Sequence, residues 1–336
     1  MNQSMGAVHV TNQTTEVTPE PILRVAQGFM ASKFLYAANE LGLFERLPAT
    51  LDQVATRCAI PRRTARIVLD ALVAIGLLER QGDDYKNGPA AAAFLAGKGP
   101  LDLRAFLRFW NRLSYQGFAM LEDSVRTGKP QEHVQSDDNQ EIFSKGVAAF
   151  TLGAATALAE IYDFSRHKKV LDLGGGTGTF LDTILTRYSA LQGTLFDSAE
   201  VATIARKQLA KSKAASRIEV VAGDFMKDSI PEGHDAIIIA NIVHYFSPEN
   251  NTKIMRSLRA GVAGGARALL VDFWTDPTHT EPMPAALMAG EFLLNCPEGD
   301  VYSRPDAAGW FAKSGWREVD FKPLAGPQTL LIAEAV

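Results

Sequence analysis

The run Lys169-Val-Leu-Asp-Leu-Gly-Gly-Gly-Thr-Gly178-Thr-Phe constrains this chain more than any other part of it. A short apolar strand breaks into glycines at 174, 175, 176 and 178 and then opens a helical segment. Glycines in that place keep a strand-to-helix turn tight and let the backbone approach a ligand closely. The N–H groups at the helix start have no partner inside the helix and face whatever lies above the strand. Such a unit belongs to a parallel sheet with crossover helices. Gly193–Asp197, Ile218–Ala222, Ala236–Ala240 and Ala268–Asp272 supply further strand-like runs, most of them separated by segments of crossover length. Two late runs, near 316–322 and 329–333, are expected to add an antiparallel edge. The expected class is α/β, a Rossmann-like doubly wound sheet.

The loop does not follow the dinucleotide pattern GxGxxG, because Thr179 stands where a third glycine is needed. Its spacing is acid-x-Gly-x-Gly-x-Gly, with Asp172 as the acid. An aspartate beside a pyrophosphate is unfavourable, whereas it suits a ligand that carries positive charge. S-adenosylmethionine, with an ammonium and a sulfonium against one carboxylate, fits better. Asp172, Gly174 and Gly176 are expected at its methionine end. Asp197 ends the second strand, where a carboxylate accepts hydrogen bonds from both ribose hydroxyls. Asp224 and Phe225 follow the third strand, the acid for the adenine amino group and the ring for the base face. One acid at a strand end is commonly a solvated cap. Three acids on three successive strands, beside the glycine loop, form a joint signal.

The N-terminal part has a different character. Residues 1–20 form a polar leader without Lys or Arg, unlike a secretory signal. Over 21–99, Ile22, Val25, Phe29, Leu35, Ala38 and Leu41 recur at helical spacing. A second helix starts behind Thr50, and a third runs from Pro61 to Gly76. A hairpin over 77–86 completes a winged-helix pattern. Residues 100–165 read as long helices that link this domain to a catalytic domain over 166–336. The net charge of −4 and the pI near 5.9 give no basic field for nucleic acid or an anionic membrane. The longest apolar stretches, such as Ala236–Ala240 with Ile242 and Val243, are expected to fall far short of the ~20 residues of a membrane span. The two cysteines, Cys58 and Cys296, form no CxxC metal or redox pair and suit a reducing, cytoplasmic setting.

Through Val170-Leu-Asp-Leu-Gly-Gly-Gly-Thr-Gly, Gly223-Asp-Phe and Asn241-Ile-Val-His-Tyr-Phe, the chain resembles the class I S-adenosylmethionine-dependent methyltransferases. It is similar, more narrowly, to O-methyltransferases that join a winged-helix dimerisation domain to a Rossmann-like catalytic domain. Plant caffeic acid O-methyltransferases, bacterial antibiotic-tailoring enzymes and acetylserotonin O-methyltransferase share that layout. The resemblance covers roughly 22–335. It implies a homodimer, a histidine base after the fourth strand, and acids beside that base. His244 matches the base, although Tyr245 and Phe246 follow it where the family often has Asp-Trp. Asp272 matches the first acid, and 299–302 aligns ambiguously with the second.

A histidine is suited to removing a phenolic proton near neutral pH, with a carboxylate fixing its tautomer. Taken alone, His244 at a strand end would be an ordinary packed histidine; the carboxyl edge of an open sheet is what favours catalysis. Phe109, Trp110, Phe150, Met288 and Phe292 are candidates for an apolar acceptor wall, with Glu291 and Asn295 as polar contacts on a helix expected over 283–295. Aromatics at helical spacing are more often plain core. Two rivals remain at this point. One is a winged-helix DNA-binding regulator, suggested by Arg62, Arg63 and Arg66. The other is a carbon or nitrogen acceptor on the same fold. No metal is expected, because an iron site would need a second histidine where Asn295 and Cys296 stand.

Overall fold

The computed structural model describes residues 17–131 and 136–336, so most of the polar leader lies outside the described residues. Within these the chain forms two compact units, one ending at Gly88 and one running from Pro89 to Val336. In the first unit α1 (Glu20–Glu40), β1 (Ala49–Thr50), α2 (Leu51–Arg57), α3 (Arg62–Ala74), β2 (Leu78–Gln81) and β3 (Asp84–Asn87) follow one another. The three strands pair antiparallel in the order β1-β3-β2. Thr50 starts α2 with a capping box, its hydroxyl accepting from Gln53 N while the Gln53 side chain accepts from Thr50 N. Leu51, Val54, Ala65, Leu69 and Leu72 are buried, and this is the winged-helix pattern expected. The first half of α1 keeps Ile22, Val25 and Phe29 exposed, at 73%, 81% and 51%.

The second unit begins with α4 (Pro89–Phe94), α5 (Arg104–Phe109), a π-helical turn (Trp110–Ser114), α6 (Tyr115–Phe118), α7 (Leu121–Thr127) and α8 (Asp137–Ile161). By length and composition α8 is apolar enough to cross a membrane, which departs from the expectation that every apolar stretch falls far short of one. It buries Ala154, Ala155, Leu158 and Ala159 in the core that packs on the sheet.

The sheet is formed by β4 (Lys169–Leu173), β5 (Gln192–Asp197), β6 (Ile218–Ala222), β7 (Ala236–Ala240), β8 (Arg267–Asp272), and, beyond a two-residue β9 (Trp274–Thr275) and β10 (Tyr302–Ser303), by β11 (Trp316–Ala325) and β12 (Gln328–Ala335). Between them run α9 (Thr179–Arg187), α10 (Ala199–Leu209), α11 (Pro248–Ala260), α12 (Met283–Asn295) and α13 (Arg304–Ser314). The order is β11-β12-β8-β7-β4-β5-β6, with β12 antiparallel to both its neighbours, β11 and β8, and the other pairs parallel. Strand residues alternate between two cores. Leu171, Ile237, Ile239 and Leu270 face the side of Met255, Leu258 and Trp310, while Val170, Ile238, Leu269 and Val271 face the side of Leu158, Phe180 and Ile184. Both faces are covered, so β7 reads as the unbroken run Ala-Ile-Ile-Ile-Ala. Each such side chain contributes about 1.5–3 kcal/mol by burial, and Ile238→Ala would open a cavity costing about 2–5 kcal/mol.

From β4 the chain passes to β5 and β6 on one side, then returns to build β7 and β8 on the other. Strand order therefore reverses at β4, and the crevice beyond the carboxyl ends of β4 and β7 is where an open α/β sheet binds its ligand.

Candidate active site

The loop after β4 turns on Gly174, Gly176 and Gly178, all at positive φ (63°, 58° and 88°). Gly174 N donates to Phe196 O at 2.8 Å, which ties the loop to β5. Gly176 N donates to Asp197 Oδ2 at 2.9 Å, and Ser198 N donates to Oδ1 at 2.7 Å. Burial raises the Asp197 carboxyl above its ordinary range, and the two N–H donors partly offset this. Asp197 is partly exposed at the crevice, and its carboxylate is steered by the glycine loop.

Asp172 lies near the end of β4, beneath the glycine loop. It is 1% exposed, on the strand face that also carries Val170, and its Oδ2 has no hydrogen-bond partner. A Cβ on Gly175 would lie 2.7 Å from the Asp172 carboxyl carbon, so the loop backbone lies directly over it. Burial, and then the charge of Asp197, push this carboxyl up to about 7. A buried carboxyl with one unpartnered oxygen under a glycine cradle, with a second acid beside it, is a donor set suited to a cationic group. The residues present therefore fit a sulfonium cofactor.

After β6, Asp224 Oδ1 accepts from Met226 N at 2.9 Å and Oδ2 pairs with Lys227 at 2.8 Å. The lysine holds the Asp224 carboxyl below its ordinary value. Phe225 meets Phe246 edge-on, with ring centroids 5.7 Å apart.

On the other side of β4, a 3₁₀ turn (Val243–Tyr245) follows β7 and carries His244. Its Nδ1 lies 2.7 Å from Asp272 Oδ1 at the end of β8, and the two residues are 3% and 1% exposed. Phe273 N also donates to Asp272 Oδ1 at 2.8 Å. The parallel pairing of β7 with β8 brings together two residues 28 apart in sequence. The imidazole is surrounded by rings. Phe292 stacks on it at 3.7 Å and 7°, Tyr245 lies 4.4 Å away at 52°, and Phe273 lies 6.3 Å away.

These rings continue outward. Phe273 stacks on Phe150 at 6.0 Å, Phe150 on Phe106 at 4.7 Å, and Phe106 meets Trp110 at 4.6 Å. Met288 packs on the same cluster. Phe109 stacks on Phe106 at 6.1 Å and meets Phe143 on α8 edge-on at 5.8 Å. Glu291, 8% exposed, receives a short hydrogen bond from the Ser114 hydroxyl, and Asn295 Nδ2 donates to its Oε1 at 3.3 Å. An aromatic path thus runs from the helical segment to the His–Asp pair, with a buried carboxylate on α12.

Residues 119–317 match the model of the O-methyltransferase domain, more than half of the chain, and 23–97 match the O-methyltransferase dimerisation domain. The chain belongs to the O-methyltransferase family. Among its relatives is the 3-hydroxy-5-methyl-1-naphthoate 3-O-methyltransferase of Streptomyces sahachiroi, 31% identical and aligned over 92% of each chain. Another is the tetracenomycin polyketide synthesis 8-O-methyl transferase TcmO of Streptomyces glaucescens, 28% identical over 94% of this chain and 96% of that one. The fold of human N-acetylserotonin methyltransferase, solved in complex with SAM, superposes with a TM-score of 0.84 at 23% identity, covering 96% of this chain and 99% of that one. As a member of this family the chain is an S-adenosylmethionine-dependent methyltransferase of the antibiotic-tailoring type.

For this O-methyltransferase, the dimerisation match falls on the winged-helix unit. Of the three arginines behind the regulator reading, Arg62 pairs with Asp52 at 2.6 Å and Arg66 with Asp70 at 3.2 Å. Asp300, in the segment that aligned ambiguously, donates its N–H to His244 O at 3.1 Å. Phe273 and Ser114 were not singled out from the sequence. Phe273 directly follows the strand-end acid, a place at the carboxyl edge that marks it; Ser114 carries no such signal.

Proposed function

We propose that this enzyme methylates a hydroxyl of a small aromatic or polycyclic metabolite, with His244 as the general base, and that it works as a homodimer. The observation that carries this reading is the buried His244–Asp272 pair beside the glycine loop, at the end of a path of stacked rings. Asp172, Gly174, Gly176 and Asp197 would hold the methionine and ribose ends of the cofactor, and Asp224 with Phe225 the adenine. S-adenosylmethionine, when bound, supplies a methyl group activated by its positively charged sulfur.

What remains for the protein is alignment, exclusion of water and removal of one proton. With Asp272 ionised, Nδ1 carries the proton and donates to Oδ1, so the Nε2 lone pair is left to accept the acceptor's O–H proton. As the imidazolium forms, Asp272 stabilises it across the 2.7 Å contact, in a place where surrounding rings keep water away. The walls made by Phe106, Phe150, Phe273 and Met288 suit a flat apolar acceptor, and the S. sahachiroi relative is named for a hydroxynaphthoate. Exposed Val25 and Phe29 on α1, within the dimerisation match, support the homodimer.

Calorimetric titration with S-adenosylhomocysteine, with NAD as control, tests the cofactor half. Binding of the former alone is expected, and binding of NAD alone would overturn it. Methyl transfer to 3-hydroxy-5-methyl-1-naphthoate, with and without His244→Ala, tests the acceptor half. Full turnover without the imidazole would show that the acceptor needs no base or finds it elsewhere. Sedimentation of the full chain gives the oligomeric state.

A further inference from the structure

We propose that Phe292 is a positioning residue for the base: it fixes the plane of the His244 ring, so that Nε2 points in one direction, and is not primarily an acceptor contact. This rests on the reading of His244 as the base. Asp272 holds the imidazole by a single hydrogen bond to Nδ1. One such bond fixes a point and an approximate direction, and it leaves the ring able to tilt about the donor–acceptor axis. A flat contact removes that freedom, and Phe292 provides one, with its ring 3.7 Å from the imidazole and only 7° from parallel. Phe292 is itself 6% exposed, so most of its surface is spent on protein neighbours.

The support behind Phe292 is equally specific. It lies in the last turn of α12, where its carbonyl accepts from Cys296 N at 2.8 Å. The chain then folds back so closely that a Cβ on Gly299 would lie 2.3 Å from the Phe292 carbonyl oxygen, which only glycine allows. The next residue, Asp300, donates its N–H to the His244 carbonyl at 3.1 Å. One corner of the fold therefore holds the base twice, by its ring through Phe292 and by its backbone through Asp300. Phe292 also lies 5.8 Å from Phe273, whose other neighbour is Phe150, so the wall of stacked rings and the base share one support.

The test is made on the full chain labelled with [¹³Cε1]histidine and saturated with S-adenosylhomocysteine, the His244 resonance being assigned by its loss in His244→Gln. A proton held over an aromatic face is shielded, so the wild-type His244 Hε1 should lie upfield of the exposed histidines. Phe292→Leu should move it downfield and increase ring motion in ¹³C relaxation, while Phe292→Tyr keeps both at wild-type values. S-adenosylhomocysteine affinity within about twofold of wild type shows that the variant is folded, and Phe292→Met replaces the leucine variant if that one fails. Wild-type shift and relaxation in the leucine or methionine variant would overturn the proposal. With 3-hydroxy-5-methyl-1-naphthoate, Phe292→Leu should lower kcat about tenfold to a hundredfold with little change in KM, as expected for a misaligned reacting group. A raised KM at unchanged kcat would make Phe292 an acceptor wall. If His244→Ala turns over normally, the base reading fails by itself, and the resonance still decides whether Phe292 sets the ring.

Discussion

The two sides of the crevice are assembled from different materials. On the side of β4, β5 and β6, the groups facing the loop are glycine N–H groups and carboxylates, all drawn from the stretch between Asp172 and Phe225. On the side of β7 and β8 they are rings, and they come from four separate elements: Phe150 on α8, His244 after β7, Phe273 after β8 and Phe292 on α12. In the proposed reading, backbone and acids serve a cofactor that stays the same from enzyme to enzyme. Stacked rings form a surface whose shape changes with each substitution, which suits the half that meets the acceptor. The comparison teaches that the first half is written in local spacing, and that the second exists only once distant helices have packed.

Substitutions on the ring side should act on chemistry and leave the cofactor alone. His244→Ala should lower kcat by about 10²–10⁴, the range for loss of a general base, with S-adenosylhomocysteine affinity within a few-fold of wild type by calorimetry. Asp272→Asn should fall in the same range, because an amide N–H turned towards Nδ1 selects the wrong tautomer and leaves Nε2 protonated. If either variant lost cofactor affinity as strongly as turnover, the two sides would not be separate.

Asp197→Ala should do the reverse. Loss of hydrogen bonds to a charged group at about 1.5–3 kcal/mol corresponds to roughly ten- to 150-fold weaker S-adenosylhomocysteine binding, with kcat at saturation little changed. Phe150→Ala should raise the acceptor KM by up to about tenfold, since a stacked pair contributes about 0.5–1.5 kcal/mol beyond its buried area. Steady-state kinetics with varied acceptor would read this, and an unchanged KM would remove Phe150 from the wall.

The smallest effect sharpens the acid side. Asp172 has its folded pKa raised to about 7, so the protonated form is favoured in the folded state, and the ligand-free protein loses stability from this group as pH rises from about 4 through about 7. Asp172→Asn removes that loss. Its melting temperature relative to wild type should therefore rise more at pH 8 than at pH 5. His234, pushed down to about 4 by burial, has the opposite slope over an overlapping range, and the difference between variant and wild type cancels it. An equal difference at both pH values would show that Asp172 does not titrate in this window.

Much of the fold was legible because it rests on period and punctuation. β4, β6 and β7 and the helix α12 coincide with their expected bounds, and the β11–β12 pair forms the antiparallel edge expected from the last two runs. Of the site, the loop and the strand-end acids could be found from spacing. The place of Asp172 could not, since it depends on which face of β4 the residue takes and on the loop closing over it. Phe292 was visible as an aromatic on α12, and its contact with His244 was not. That contact depends on the corner at Gly299 and on the hydrogen bond from Asp300.

The sequence alone therefore determined the order of strands and helices, the glycine loop and the acids at the strand ends, because these follow from short-range pattern and backbone chemistry. Tertiary structure decided which acid is buried, which ring faces the base and how Ser114 meets Glu291 across 177 residues. Those are matters of packing, set by the closure of long loops and by side-chain shape, and no local spacing encodes them.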